Sequence, residues 1–213
     1  MYAMKWKLRD VFVLAVLVLL PVLGWAAAWE DVRPQEAKPF RAGNLKEVKR
    51  IVERSGDFSG GDLETALDFA ASSGNVEVMK YLKSRGWLER CRKQDGPCFP
   101  LHAAADEGAG TSMLGFLIAE GFQVDQRGPL LMTPMFMAAK SGHLEAVKYL
   151  CEAGADPNAK NHEGTSMLQR VSTRLESARL GGKLHPNPKE HAKIKANLEK
   201  VIQYLKSDQC KKK

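Results

Sequence analysis

The chain has 213 residues, of which 44% are hydrophobic and 27% charged, with a formal net charge of +7. That is enough chain for one domain with a continuous core. Its 32 basic residues stand among 25 acidic ones, so the overall balance does not point to the basic stripe of a nucleic-acid-binding protein. The surplus suits ordinary solvated faces, an acidic protein partner or an anionic membrane surface.

Residues 1–28 read as a secretory signal peptide. Lys5, Lys7 and Arg9 form a basic start, and Val11 to Leu20 is uninterrupted apolar. Pro21 and Gly24 break that run, and Ala26 and Ala28 fit a small-residue cleavage site that would leave Trp29 first. An uncleaved anchor is the alternative, because residues 11–28 are almost long enough to span a bilayer. Cleavage removes three basic residues and one acidic one, leaving +5 on about 185 residues. No Cys follows the site for lipidation, and there is no twin-Arg pair, which points to the general secretion route. Residues 29–35 read as a linker.

From residue 36 the sequence repeats itself. Phe40-Arg41-Ala42-Gly43 ends a first helix, and Leu45, Val48, Ile51 and Val52 form the apolar side of a second. Gly56 to Gly61 reads as a loop. Thr65-Ala66-Leu67-Asp68-Phe69-Ala70-Ala71-Ser72-Ser73-Gly74 opens the next unit, whose second helix carries Val76, Val78, Met79, Tyr81 and Leu82. Phe99-Pro100-Leu101-His102-Ala103-Ala104-Ala105-Asp106-Glu107-Gly108 stands in the same frame, followed by Met113, Leu114, Phe116, Leu117 and Ile118. Thr133-Pro134-Met135-Phe136-Met137-Ala138-Ala139-Lys140-Ser141-Gly142 follows, with Leu144, Val147, Leu150 and Cys151 on its second helix. The turn glycines Gly74, Gly108 and Gly142 are 34 residues apart. Pro suits a first helical turn, paired Ala residues admit a close neighbour, and Gly suits a left-handed helix end. A last unit opens at Gly164-Thr165-Ser166-Met167-Leu168, lacks the Ala pair, and carries an insertion at 181–188. Its closing helix runs from about Lys189 to Ser207, with Ile194, Leu198, Val201, Ile202 and Leu205 on one face.

This frame resembles the ankyrin repeat, which has a period of about 33 residues. The resemblance implies an all-α solenoid of about five helix–turn–helix repeats with projecting hairpin loops. The units fall at 36–60, 61–95, 96–128, 129–161 and 162–208, and a basic tail follows at 209–213. It further implies a non-catalytic scaffold that binds another protein through hairpin tips and the exposed residues of the first helices. On that frame the partner-binding set is Phe69, Ser73, Arg92, Lys93, Asp106, Glu107, Arg127, Leu130, Leu131, Met137 and Lys140. Together with the signal peptide this points to a periplasmic inhibitor or immunity protein that sequesters a toxic enzyme. The alternatives are an accessory protein of oxidative-stress defence and an envelope-anchored adaptor, with membrane contact only through an uncleaved N-terminal segment. No nucleic-acid or small-molecule partner is expected.

All four cysteines, Cys91, Cys98, Cys151 and Cys210, follow the cleavage site and would meet an oxidising compartment. Four cysteines allow three pairings. Cys91 and Cys98 flank the hairpin tip of the second repeat, and stacking would bring Cys151 toward Cys210; free thiols and, least well, a metal site remain as alternatives. No metal or cofactor is expected. His102 occupies a position where ankyrin repeats carry a structural His, and His143 follows the turn Gly. His162, His185 and His191 have no partner set by spacing. No phosphate loop, nucleophile elbow or paired metal-ligand motif is present, so no catalytic residue is assigned.

Overall fold

Thr133 shows how the sequence sets a helix here. Its Oγ1 accepts from the backbone N–H of Phe136 at 3.3 Å, and Pro134 occupies the first turn. At the other end the left-handed Gly142 closes the helix. The computed structural model describes residues 34–55, 58, 61–93, 98–181 and 188–210. The signal segment 1–28, nearly all of the linker, the insertion apart from its ends and Lys211–Lys213 lie outside the described residues. Among those described, the helices are α1 (Pro34–Arg41), α2 (Leu45–Ser55), α3 (Gly61–Ser72), α4 (Val76–Ser84), α5 (Trp87–Lys93), α6 (Pro100–Glu107), α7 (Thr111–Ala119), α8 (Pro134–Ser141), α9 (Leu144–Glu152), α10 (Met167–Gly181) and α11 (Pro188–Lys206). Short 3-10 turns stand at Pro129–Leu131 and Asp208–Cys210.

Residues Ala37–Lys213 form one unit built in two layers. First helices stack as α3, α6, α8 and α10, and second helices stack as α2, α4, α7, α9 and α11. Ala70, Ala71, Ala104, Ala105, Ala138 and Ala139 are all fully buried at the contacts between first helices. Their small side chains let the helix backbones approach closely, and the large Leu67, Leu101, Met135, Leu82, Leu117 and Leu150 fill the space between layers. The turns stack too. Gly74 has φ +72°, and a Cβ there would stand 2.6 Å from the carbonyl oxygen of Ala109 in the next repeat. Both the backbone conformation and the neighbouring repeat therefore require glycine. At the first turn the Asn75 side chain donates to the Gly43 carbonyl at 2.8 Å.

Several expectations are corrected. Arg92 and Lys93 end helix α5, which covers the start of the stretch read as a finger; residues 94–97 lie outside the described residues. Trp87, Leu88 and Cys91 are buried on that helix, and it packs on α3 and α4. No Gly or Pro interrupts residues 87–93, so this amphipathic stretch winds where a finger was expected. Trp87 stacks on Phe40 (centroids 6.2 Å) and meets Phe58 (5.1 Å). The fingers carry no extended strand among the described residues; one isolated antiparallel bridge joins Lys160 and Ser166. Of the apolar residues assigned to the second helices, Leu45, Val76, Tyr81, Phe116, Ile118, Leu144, Ile194, Ile202 and Leu205 are only half-buried, since a helix turns a limited stripe inward.

The cysteines lie in pairs. Cys91 and Cys98 have Cα atoms 5.7 Å apart, and Cys151 and Cys210 are 5.6 Å apart, both within bridging range.

Two ionisable groups sit in equivalent places on α3 and α6, six residues before the turn glycine. His102 is 3% exposed and its Nε2 lies 3.1 Å from the Met132 carbonyl. Its Nδ1 has no partner. The residue that heads its helix is Phe99, whose ring packs edge-on against His102 where the next repeat has Thr133. Desolvation pushes the His102 pKa down to about 4. Asp68 is half-buried as a residue, but its Oδ1 is closed off from solvent and unpartnered. Desolvation pushes its pKa up to about 8, and the Glu64 carboxylate one turn away adds to the rise, while the Phe99 backbone N–H works against it.

Replacing Ala104 by Leu should overpack the helix contact and lower stability by about 1–3 kcal/mol. The same change at half-buried Ala103 should stay within about 0.5 kcal/mol. Urea melts of the two variants measure the difference. The titrating pair sets a pH profile. His102 binds fewer protons folded than unfolded, so its contribution rises with pH between about 4 and its ordinary value of 6.5. Asp68 binds more protons folded, so its contribution falls as pH climbs from its ordinary 3.8 to about 8. The two oppose each other below pH 6.5, and above it stability should decline. Asp68→Asn should flatten that decline, so melting temperatures of variant and parent should diverge between about pH 6.5 and 8.

Candidate protein-binding surface

Stacking the first helices in one register lines up equivalent positions along one face. Counting back from each turn glycine places Phe69, Ala103 and Met137 five residues before it. Arg41, Ser72, Asp106 and Lys140 stand two before it, and Ser73, Glu107 and Ser141 one before it. The result is a strip of half-buried apolar groups bordered by a charged ladder.

The ladder is connected. The Arg41 guanidinium lies 5.3 Å from the centroid of the Phe69 ring, a cation–π distance, and reaches 3.6 Å from a Glu107 oxygen. One side chain thus spans three successive first helices. Further along, Asp106 accepts a short 2.5 Å hydrogen bond from the Ser141 hydroxyl and lies 3.4 Å from the Lys140 ammonium. These contacts are partly exposed and contribute little to stability. What they do is hold the charges in a fixed order, which sets orientation and on-rate for a charged partner.

The finger between the third and fourth repeats is the other candidate. Leu130 is 44% exposed and Leu131 is 53% exposed, the large hydrophobic side chains left open among the described residues. Both have φ 56°, in the left-handed region that a leucine adopts only at a cost of roughly 1 kcal/mol or more. The surroundings enforce it. Arg127 donates to the carbonyls of Leu131 (2.8 Å) and Lys160 (2.7 Å), tying this finger to the next. The His162 N–H donates to the Leu130 carbonyl at 2.9 Å, and Gly128 pairs with the Met132 carbonyl at 2.9 Å. Gly128 also lies against the His102 ring, where a Cβ would stand 2.7 Å away.

The residues singled out from the sequence therefore divide. Phe69, Met137, Asp106, Glu107 and Lys140 come together on the first-helix face, and Leu130 and Leu131 project at a tip. Arg127 braces two fingers through its guanidinium. Ser73 serves its own turn: its hydroxyl donates to the Ala70 carbonyl at 2.7 Å and accepts from the Asn75 N–H at 3.2 Å. Lys93 pairs with Glu89 at 2.7 Å on α5. Arg41 was missed, although it stands two residues before Gly43, in register with Asp106 and Lys140. Asp68 and His102 lie beneath this surface: His102 is almost wholly buried, and Asp68 is half-buried with its Oδ1 closed off. Among the described residues no group of three His, Cys, Asp or Glu could hold a metal ion. No helix among them is long and apolar enough to cross a membrane.

Comparison with known proteins agrees with the register. Residues 87–161 match the family model described as ankyrin repeats (3 copies). The chain is 28% identical over 122 residues to alpha-latrocrustotoxin-Lt1a of Latrodectus tredecimguttatus, an alignment covering 56% of this chain and 8% of that protein. It is 26% identical over 121 residues to protein VAPYRIN-LIKE of Medicago truncatula, covering 55% and 25%. It is 30% identical over 113 residues to palmitoyltransferase Hip14 of Drosophila melanogaster, covering 53% and 17%. The alignments thus span a quarter or less of these relatives, and what is shared is the repeat. The stacked helix pairs and left-handed turn glycines agree with the match over residues 87–161, which identifies that stretch as ankyrin repeats, a module that generally binds other proteins.

Proposed function

We propose that the chain is exported and acts in the periplasm as a non-catalytic scaffold that sequesters another protein, an enzyme whose activity must be held in check. The observation that carries the reading is the Leu130–Leu131 tip. Two adjacent leucines are held exposed, in a costly backbone conformation, by hydrogen bonds from Arg127 and His162. A fold that expends stability on presenting apolar groups supports a docking role, since desolvated apolar anchors carry most interface energy. The Phe69–Met137 strip supplies a second anchor, and the Arg41–Glu107 and Asp106–Lys140 pairs orient the partner. Export is supported by the layout of residues 1–28 and by four cysteines standing in two pairs at bridging distance, a pattern suited to an oxidising compartment.

Fusion of alkaline phosphatase to the C-terminus tests export, because that reporter is active only outside the cytoplasm; an inactive fusion would remove the periplasmic reading. For the surface, cross-linking in intact cells should capture one specific protein. Leu131→Asp or Phe69→Ala should weaken its binding by about 1–3 kcal/mol with melting temperature preserved, and Lys46→Ala on the second-helix side should not. Adding the purified chain should lower the captured protein's activity. Equal capture by all variants would dissociate function from this face.

The same reading implies that both cysteine pairs close as disulfides. Loop length then ranks them. Cys151 and Cys210 are 59 residues apart and Cys91 and Cys98 only 7, so the chain-entropy contributions are about 4 and about 2.5 kcal/mol respectively. Cys151→Ser/Cys210→Ser should therefore destabilise more than Cys91→Ser/Cys98→Ser in chemical melts of the exported protein. Thiol titration of that protein should find no free sulfhydryl.

A further inference from the structure

Charge is divided unevenly along the chain. Residues 167–213 carry twelve Lys and Arg against four Asp and Glu, a net of +8. Residues 29–166 carry seventeen against twenty, a net of −3. Beyond the basic start, the positive surplus therefore belongs to α10, α11 and the segments that flank α11.

Pairing differs in degree. In the repeats, Lys80 stands 2.8 Å from Glu77, Lys83 2.7 Å from Glu120 and Lys148 2.9 Å from Glu145, while Lys46 and Lys160 form no ion pair among the described residues. On α11, Lys189, Lys193 and Lys200 are exposed and form no ion pair among the described residues. Arg179 on α10 pairs with Glu176 and Glu199. Lys200 shares a groove with Glu145, which is itself paired with Lys148. The spacing of four and then seven residues puts Lys189, Lys193 and Lys200 on one face of a 19-residue helix. The opposite side, with buried Leu198 and Val201, faces the solenoid. The three ammonium groups thus run along about 16 Å of helix.

We propose that this lysine stripe on α11 is a peripheral docking surface for an anionic phospholipid bilayer. It is distinct from the first-helix ladder and the leucine tip, and stands whether or not those hold an enzyme. Three features select a membrane. First, all five cations of α11 are lysines, mobile point charges suited to a diffuse sheet of headgroups rather than to the bidentate fit that arginine gives. Second, between Lys189 and Lys200 the other exposed positions are Glu190, Ala192 and Ala196. A protein interface would need a large apolar anchor there. Third, the stripe carries no aromatic side chain to stack on bases, as single-stranded nucleic acid binding requires.

The test is co-sedimentation of the full chain with vesicles of phosphatidylglycerol and phosphatidylcholine, against phosphatidylcholine alone, at low and high salt. The apolar run near the N-terminus contributes alike to both vesicle types, and the basic start beside it alike to parent and variants, so the change of the ratio on substitution reads the stripe. The expected result is a preference for the anionic vesicles that salt abolishes. Each lysine near an anionic surface is worth roughly fivefold in affinity, so Lys189→Gln/Lys193→Gln/Lys200→Gln should cut the preference by about a hundredfold. Lys80→Gln/Lys148→Gln, which removes two paired lysines from the repeats, should change it less than about threefold. Thermal melts check that both variants are folded. An unchanged preference in the triple variant overturns the proposal. So does an equal loss in the control, which would mean that net charge alone acts. Displacement of the chain from anionic vesicles by duplex DNA at equal charge would reassign the stripe to nucleic acid.

Discussion

Everything here depends on how closely neighbouring first helices approach. The paired alanines of three repeats are buried completely, and nothing larger fits between those backbones. That contact fixes the register, the register aligns the turn glycines, and each turn then lies on the next. Gly74 shows the result, with its α-carbon against the Ala109 carbonyl. A chain packed this way has little freedom to slide, so side chains at equivalent positions fall in rows. The Arg41–Phe69–Glu107 arrangement and the Asp106–Lys140 pair follow from that alignment, although no two of their repeats have the same sequence.

The core tolerates departures from the repeat pattern at a cost that can be named. Phe99 stands where Thr133 stands one repeat later, and it supplies no oxygen to cap its helix. The ring covers His102 instead, which leaves Nδ1 dry and the imidazole neutral. Asp68 occupies the same place one repeat earlier, with one carboxylate oxygen likewise dry. Buried polar atoms without partners weaken a fold, and Trp87 adds an indole N–H in the same condition. The three fall in the second and third repeats, next to the extra helix α5. The burial of Trp87, Phe40 and Leu88 offsets part of that cost.

Much of this was legible before any coordinates. A 34-residue interval between turn glycines and the Ala pairs were enough to place the helices of the second to fourth repeats and to separate Ala103 from Ala104. The sequence was less informative where structure depends on what a residue meets across the fold. Residues 87–93 read as part of a finger because the repeat pattern has one there, while the burial of Trp87 against Phe40 and Phe58 joins residues far apart in the chain. Arg127 read as a contact residue because it sits near a tip; its two carbonyl partners, one of them 33 residues away, are set by how adjacent fingers stack. Ser73 read as surface for the same reason. Leu130 and Leu131 were visible as apolar residues with no core to enter, but the left-handed backbone that presents them was not.

The aromatic cluster of the second repeat has a spectroscopic consequence. Trp87 is the single tryptophan among the described residues, and it is fully buried against Phe40 and Phe58. A solenoid holds together only through contacts between neighbours, so its two ends can melt separately. The emission of Trp87 reports the N-terminal end alone, whereas far-ultraviolet circular dichroism sums all the helices. Recording both during one denaturation, with Trp6, Trp25 and Trp29 replaced, would therefore show from which end the solenoid opens.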